Sequence, residues 1–270
     1  MLTALGRFGM TRDNHAEDHT MFNRTTRQAA IIAVFAVMAA PVLFSATGVR
    51  AQESQEAPPS SKPAGEATAY IKLTTTLGDI VLELDREKAP ISVENFLKYV
   101  AKEHYDGTIF HRVMPNFMIQ GGGFTADMEQ LETEAPIKNE WQNGLKNVRG
   151  SIAMARTSEP DSATCQFFIN TVDNPALDTP RNRQGQPIPA SEGAAYAVFG
   201  KVIAGMDTVD AIRVVPTTNR EAKGRPGAPP MQNVPVDPVV IESARTISAA
   251  DAKALEGKPL MRTPEKPAQP

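Results

Sequence analysis

The stretch FHRVMPNFMIQGGGFT, residues 110–125, sets one guanidinium, Arg112, among apolar side chains and glycine. No acidic residue stands beside Arg112 in the chain to neutralise it. A cation so placed suits a reaction in which electron density builds on a neutral group and no nucleophile is needed. Rotation about an Xaa-Pro peptide bond is such a reaction. Its barrier, about 18–20 kcal/mol, is the cost of losing amide resonance, and unaided it takes roughly tens to hundreds of seconds. In the twisted transition state the prolyl nitrogen regains a lone pair. A fixed cation or N–H donor stabilises that state more than the planar ground state. An apolar pocket would grip the proline ring and keep water from screening the charge.

Other chemistries have less to build on. The four histidines are His15, His19, His104 and His111, and none stands with carboxylates or thiols at metal-ligand spacing. A hydrolase built around His111 would need a nucleophile, and no G-x-S-x-G occurs. The run Gly121–Gly123 has the freedom to cradle a phosphate, but the G-x-G-x-x-G and Walker spacings are missing. It reads more simply as a bend where backbone passes close to its neighbours. Cys165 is the single cysteine, so the chain can form no disulfide within itself. It reads as a small, half-buried thiol, with a reactive or intermolecular thiol as the sharper alternative for an exported protein.

Positioning Arg112 requires a scaffold, and the pattern of runs describes one. Residues 70–76 and 79–85 are β-rich and flank Leu77-Gly78, which predicts a tight hairpin. Val93, Phe96, Leu97, Val100 and Ala101 recur at helical spacing, predicting a helix over 93–103 with Ser92 as its N-cap. Short strand-like runs come after it at 108–113, 117–120, 150–155, 165–170 and 197–202, and a closing strand at 238–247. A second helix is expected at Met206–Arg213, with Val209 and Ile212 buried. Many short strands with two helices, not alternating as βαβ, predict a mainly β fold: an antiparallel β-barrel capped by two α-helices.

The flanks read differently. Arg24 and Arg27, the uncharged apolar run 29–46, and the small residues Val49 and Ala51 form the three-part pattern of a secretory signal. Residues 1–51 are therefore expected to be a leader cleaved on export, with Met21 the more natural start. An uncleaved anchor at residues 29–46 is the alternative. Residues 52–68 read as a flexible linker, 69–247 as the folded domain, and 248–270 as a disordered tail with one short helical turn around 250–255. The excursions 179–195 and 217–236 are polar and proline-rich and read as surface loops. A formal net charge of −3, without basic-aromatic interleaving, argues against nucleic acid as a partner and against a standing membrane association after cleavage.

Three blocks in order, FHRVMPNFMIQGGGFT, GSIAMARTSEPDSATCQFFIN and AAYAVFGKVIAGMDTVDAI, closely resemble the cyclophilins, the family of peptidyl-prolyl cis-trans isomerases. The resemblance spans residues 69–245, and its form is similar to the bacterial exported branch. It implies a closed eight-stranded antiparallel β-barrel with two capping helices and catalysis without cofactor or metal. Oligomeric state is open, with a monomer the default expectation. It implies Arg112 as the catalytic arginine, with Gln120 orienting it and bonding substrate. Phe117, Met118, Phe168 and Leu177 would form the proline pocket. Gln166 and the backbone at Ala155 and Arg156 would hold the residue before proline. Tyr196 would stand where many eukaryotic members have histidine, and His111 would be structural.

One departure stands out: where the family often places tryptophan or phenylalanine before the pocket leucine, this chain has Ala176. Weak binding of the family's inhibitor, cyclosporin, is therefore expected. The partners implied are unfolded or flexible polypeptides with exposed Xaa-Pro bonds, met during folding of exported proteins. The rival is a peptide-binding chaperone or scaffold module that uses the same groove without turnover.

Overall fold

In the computed structural model the described residues are 67–182, 184–223, 227 and 229–262. The leader, most of the linker and the last eight residues lie outside them, and so do the expected signal peptide, anchor and start site. The described chain enters through a hairpin. Strand β1 (Thr68–Thr75) pairs antiparallel with β2 (Gly78–Asp85), Thr75 facing Gly78 across a two-residue turn at Thr76-Leu77. Ala69, Ile71 and Leu73 alternate inward, as do Ile80, Leu82 and Leu84.

Helix α1 runs from Pro90 to Ala101 and buries Val93, Phe96, Tyr99 and Val100. Ser92 is not its cap. The N-cap is Ala89, Pro90 opens the first turn, and the carboxylate of distant Glu140 accepts from the N–H of Ile91 (2.9 Å) and of Ser92 (2.8 Å). Capping by a residue from another part of the chain leaves no local sequence signal.

Six more strands close the wall: β3 (Thr108–Met114), β4 (Met118–Thr125), β5 (Ser151–Met154), β6 (Phe167–Asn170), β7 (Val198–Ala204) and, after two further strands outside the wall, β10 (Val240–Ile247). Their order is β1-β10-β3-β4-β6-β5-β7-β2, antiparallel throughout, which closes an eight-stranded barrel with no free edge. Helix α2 (Met206–Arg213) adds Val209 and Ile212 to the same core that α1 enters. Phe167 is the hub of that core, meeting Phe96, Tyr105 and Phe110 edge-to-face at centroid distances of 5.5, 5.5 and 6.2 Å. Cys165 is wholly buried there, and burial pushes its thiol up to about 11.

Two expectations are corrected. The excursion 217–236 is not all loop: β8 (Thr217–Arg220) and β9 (Met231–Pro235) pair as a separate two-stranded sheet, and Val234 packs with Ile109, Phe124 and Met128. The tail from 248 is described through Arg262 and packs on the domain, and the short helical turn expected around 250–255 is a third helix. Ser248 accepts from the Asp251 N–H and caps α3 (Ala249–Leu255), whose Ala252 lies buried against Val81 and Ala204. The chain then straps across the hairpin, with Leu260 and Met261 N–H groups on the Asp207 carboxylate and Met261 bridged to Gly78. A Cβ at Gly78 would meet the Leu260 carbonyl at 2.4 Å, so glycine is needed for this close approach. Glycine and proline in the tail sequence mask the spacing of Ala252, Leu255 and Leu260, which is what docks it.

Candidate active site

The site lies on the outer face of the wall, and a bulge puts it there. Along β3 and β4, Phe110 pairs with Gly121 but Arg112 pairs with Gln120, so His111 is an extra residue. Were His111 paired in regular alternation instead of bulged, Arg112 would share Phe110's inward orientation. The bulge re-phases the pleat: Val113 and Ile119 point into the core, while Arg112, Gln120 and Met118 share the outer face. His111 is buried beside Phe124 at a ring distance of 4.7 Å. Burial lowers its pKa to about 4, although bonds to Ile109 and Gln166 resist this, so it is neutral at pH 7.

Arg112, Phe117, Met118, Gln120 and Phe168 line one hollow of about 390 Å³, and Ala155, Arg156, Leu177 and Tyr196 complete its rim. Nine of the ten residues singled out in the sequence thus meet in one place. Gln166 does not line it. Its Oε1 accepts from Gln120 Nε2 at 2.9 Å, which places Gln166 behind Gln120. His111 does not line it either. Met118 and Phe168 are buried and form the floor with Ala153 and Val198. Tyr196 meets Phe168 edge-to-face at 5.6 Å and carries the Arg156 guanidinium over its ring at 4.7 Å. The Ala155 N–H is spent on the Gln166 carbonyl, holding that rim to the barrel.

Arg112 is half-buried. Its Nη1 points to Gln120 Oε1 at 3.5 Å, its Nη2 to Met114 Sδ at 3.2 Å, and its Cζ lies 6.0 Å from the Phe117 ring centre. Burial lowers its pKa, with Tyr196 opposing that slightly, yet a guanidinium remains charged at any working pH. Among the described residues no carboxylate pairs with it. The result is a fixed positive charge, partly desolvated, at the mouth of an apolar hollow. Its field is therefore available to whatever enters.

Sequence reasoning missed the groups that hold the hollow in shape. Asn174 Nδ2 donates to the Phe117 carbonyl (2.8 Å) and to Asn170 Oδ1 (2.6 Å), fixing the β3–β4 turn. Asn170 in turn donates to Asn147 and Ser151, and Asn147 donates twice to Asp178, next to Leu177. Asn170 and Asn147 are almost fully buried. Asn170 ends the run QFFIN and Asn174 stands just beyond it, where polar residues after an apolar run were the available signal. Asn147 lies in an aperiodic segment that offered none.

Triple glycine is explained by the same neighbourhood. Gly122 has φ +84, and a Cβ there would meet Tyr105 at 2.7 Å; a Cβ at Gly123 would meet Gln166 Nε2 at 2.5 Å. Among the described residues no group of three or more His, Cys, Asp or Glu is placed to hold a metal ion. Also among them, no helix is long and apolar enough to cross a membrane.

A closed barrel of this strand order with an arginine–glutamine pair on its outer wall defines a protein of the cyclophilin class. Residues 70–246 match the family model described as cyclophilin type peptidyl-prolyl cis-trans isomerase/CLD, and the chain belongs to that family. It is 51% identical over 184 residues to peptidyl-prolyl cis-trans isomerase A of Dickeya dadantii, covering 68% of this chain and 87% of that protein. It is likewise 51% identical over 169 residues to peptidyl-prolyl cis-trans isomerase B of Escherichia coli K12, 63% of this chain and 94% of that one. Its fold is similar to a Cryptosporidium parvum cyclophilin type peptidyl-prolyl cis-trans isomerase crystallised in the presence of the dipeptide Ala-Pro. There the TM-score is 0.50 at 25% identity, over 66% of this chain and 99% of that chain. The protein is a peptidyl-prolyl cis-trans isomerase.

Proposed function

We propose that the Arg112 hollow is where the prolyl bond turns, and that the protein speeds folding of exported chains. The proline ring enters between Phe117, Met118, Phe168 and Leu177. Arg112 then faces the prolyl nitrogen as the amide twists, and stabilises the lone pair that appears there. Gln120, backed by Gln166, holds Arg112 in register and bonds the substrate backbone. The rim at Ala155 and Arg156 receives the residue before proline, with Tyr196 closing the side. No bond to a nucleophile forms, so the whole effect is differential electrostatic binding of the twisted state.

The observation that carries this reading is the unneutralised, half-buried guanidinium of Arg112 beside a floor of buried apolar side chains. An Arg112→Ala variant should still fold, since Arg112 makes no ion pair, and should lose most catalysis of a proline-limited refolding reaction. Retention of full catalysis would exclude the mechanism. The exported role, most simply in a periplasm, rests on the sequence of residues 22–51. Mass spectrometry of the protein expressed in a two-membrane bacterium should find a mature chain beginning at Gln52 outside the cytoplasm. An intact precursor in the membrane would favour anchoring by residues 29–46. The partners are flexible chains with exposed Xaa-Pro bonds, and the protein acts as a monomer.

A further inference from the structure

The hollow around Arg112 continues past Tyr196. Arg156, Leu177 and Tyr196 also line a second, wider hollow of about 910 Å³, together with Ala176 and with residues of the 179–195 excursion, among them Arg181 and Ala194. Ala176, exposed and small, is part of its lining. Arg181 and Arg156 are both among its lining residues.

Both guanidiniums are held by main-chain carbonyls. Arg156 Nε donates to Ala195 O (3.2 Å), Nη1 to Thr157 O (2.8 Å), and Nη2 to Ala194 O. Arg181 Nε donates to Ala176 O (2.9 Å), and Nη1 to Gly185 O. Carbonyls orient a guanidinium without cancelling its charge. Among the described residues no carboxylate lines this hollow, and neither arginine makes an ion pair. Arg149, Arg213, Arg245 and Arg262, by contrast, each meet a carboxylate. The nearby Asp178 carboxylate is engaged by the N–H and side chain of Asn147. Two oriented cations thus line a space that shares Arg156, Leu177 and Tyr196 with the Arg112 hollow, so a peptide seated at Arg112 passes beside it.

We propose that this second hollow is a specificity subsite for an acidic side chain, Asp or Glu, carried by the client close to the isomerised proline. It rests on the reading of the Arg112 hollow as the prolyl site. The test is a set of short Ala-Pro peptides with one Glu at each position from three before to three after the proline, each with a Gln twin. Exchange and chemical-shift titration are both read by NMR on the full chain. At least one Glu peptide is expected to be turned over and bound roughly three- to fivefold better than its twin, the range of a partly exposed ion pair. That preference should shrink in about 0.5 M salt and fall towards parity in Arg181→Gln. Arg181→Lys should retain most of it, and Arg181→Gln should turn over the neutral peptide at the wild-type rate. Parity at every position in the wild type, or a Glu preference that Arg181→Gln leaves intact, overturns the subsite. Failure of the prolyl-site reading shows differently, as no acceleration of the neutral peptide by the wild type. The Glu-against-Gln affinities then still decide the subsite.

Discussion

Arg112 and Gln120 stand directly opposite each other on β3 and β4, guanidinium Nη1 3.5 Å from amide Oε1, because His111 is bulged out of the strand between Phe110 and Arg112. Whether His111 is bulged or paired decides whether the cation faces the core or the outer hollow. The relationship also makes the site a property of the barrel wall. Arg112, Gln120 and Phe168 sit on three adjacent strands in register, while Phe117, Ala155, Arg156, Leu177 and Tyr196 come from the connections between strands.

Gly123 is the hidden support of this pair. Gln166 packs where a Gly123 side chain would be, with its Nε2 and Cγ 2.5 and 2.6 Å from the missing Cβ. Gly123→Ala should displace Gln166, release Gln120 and loosen Arg112. Turnover is expected to fall roughly tenfold, the effect of misplacing a positioning group. The substrate KM should change less than kcat. Steady-state exchange kinetics would show this, and wild-type kinetics in the variant would contradict it.

Asn174 holds the turn that presents Phe117. Asn174→Ala removes two hydrogen bonds; the Asn170 oxygen loses its donor, while the Phe117 carbonyl keeps only the Thr171 N–H. A loss of about 1–3 kcal/mol is expected in urea unfolding, together with weaker peptide binding as the Phe117 wall loosens. An unchanged unfolding midpoint would show that water replaces the side chain.

His111 should make stability depend on pH. Its folded pKa, about 4, lies below the ordinary 6.5 because of burial, so between these values the unfolded chain binds a proton that the folded chain does not. Its contribution is fully present above about pH 6.5 and is lost as pH falls towards about 4, up to ~3 kcal/mol in all. Urea midpoints at pH 7.5 and pH 4.5 should differ more for the wild type than for His111→Gln. Equal pH dependence in the two would mean that His111 does not titrate in this way.

Ala176 should make the protein a poor receptor for cyclosporin. A large apolar ligand leaning on that wall loses about 2 kcal/mol or more of burial where an aromatic ring is replaced by a methyl group. Calorimetry should give a Kd well above nanomolar, tightening roughly tenfold or more in Ala176→Trp, with neutral peptide turnover retained. A nanomolar Kd for the wild type would contradict this.

Much of the fold was legible because its signals are local. The alternation of Ile80, Leu82 and Leu84 gave a strand, and the spacing of Val93, Phe96 and Val100 gave a helix. The site was legible for a different reason: an unpaired arginine among apolar residues is costly unless used, and the motif around it is specific. What stayed hidden depends on distant contacts. Glu140 caps α1 from 48 residues away, and Asn147 reaches Asp178 across 31. The tail docks through Asp207, whose role has no local pattern. Gln166 was expected, from the resemblance, to hold the residue before proline; the hollow's lining does not include it, and its amide oxygen accepts from Gln120.

The central claim is that Arg112 supplies the stabilisation. NMR exchange between cis and trans forms of a short Ala-Pro peptide, with the wild type and with Arg112→Ala, tests it most directly. Catalysed exchange by the wild type, cut roughly a hundredfold in the variant with peptide binding largely retained, is the predicted result. Equal acceleration by both proteins, or binding without acceleration by either, would contradict the claim.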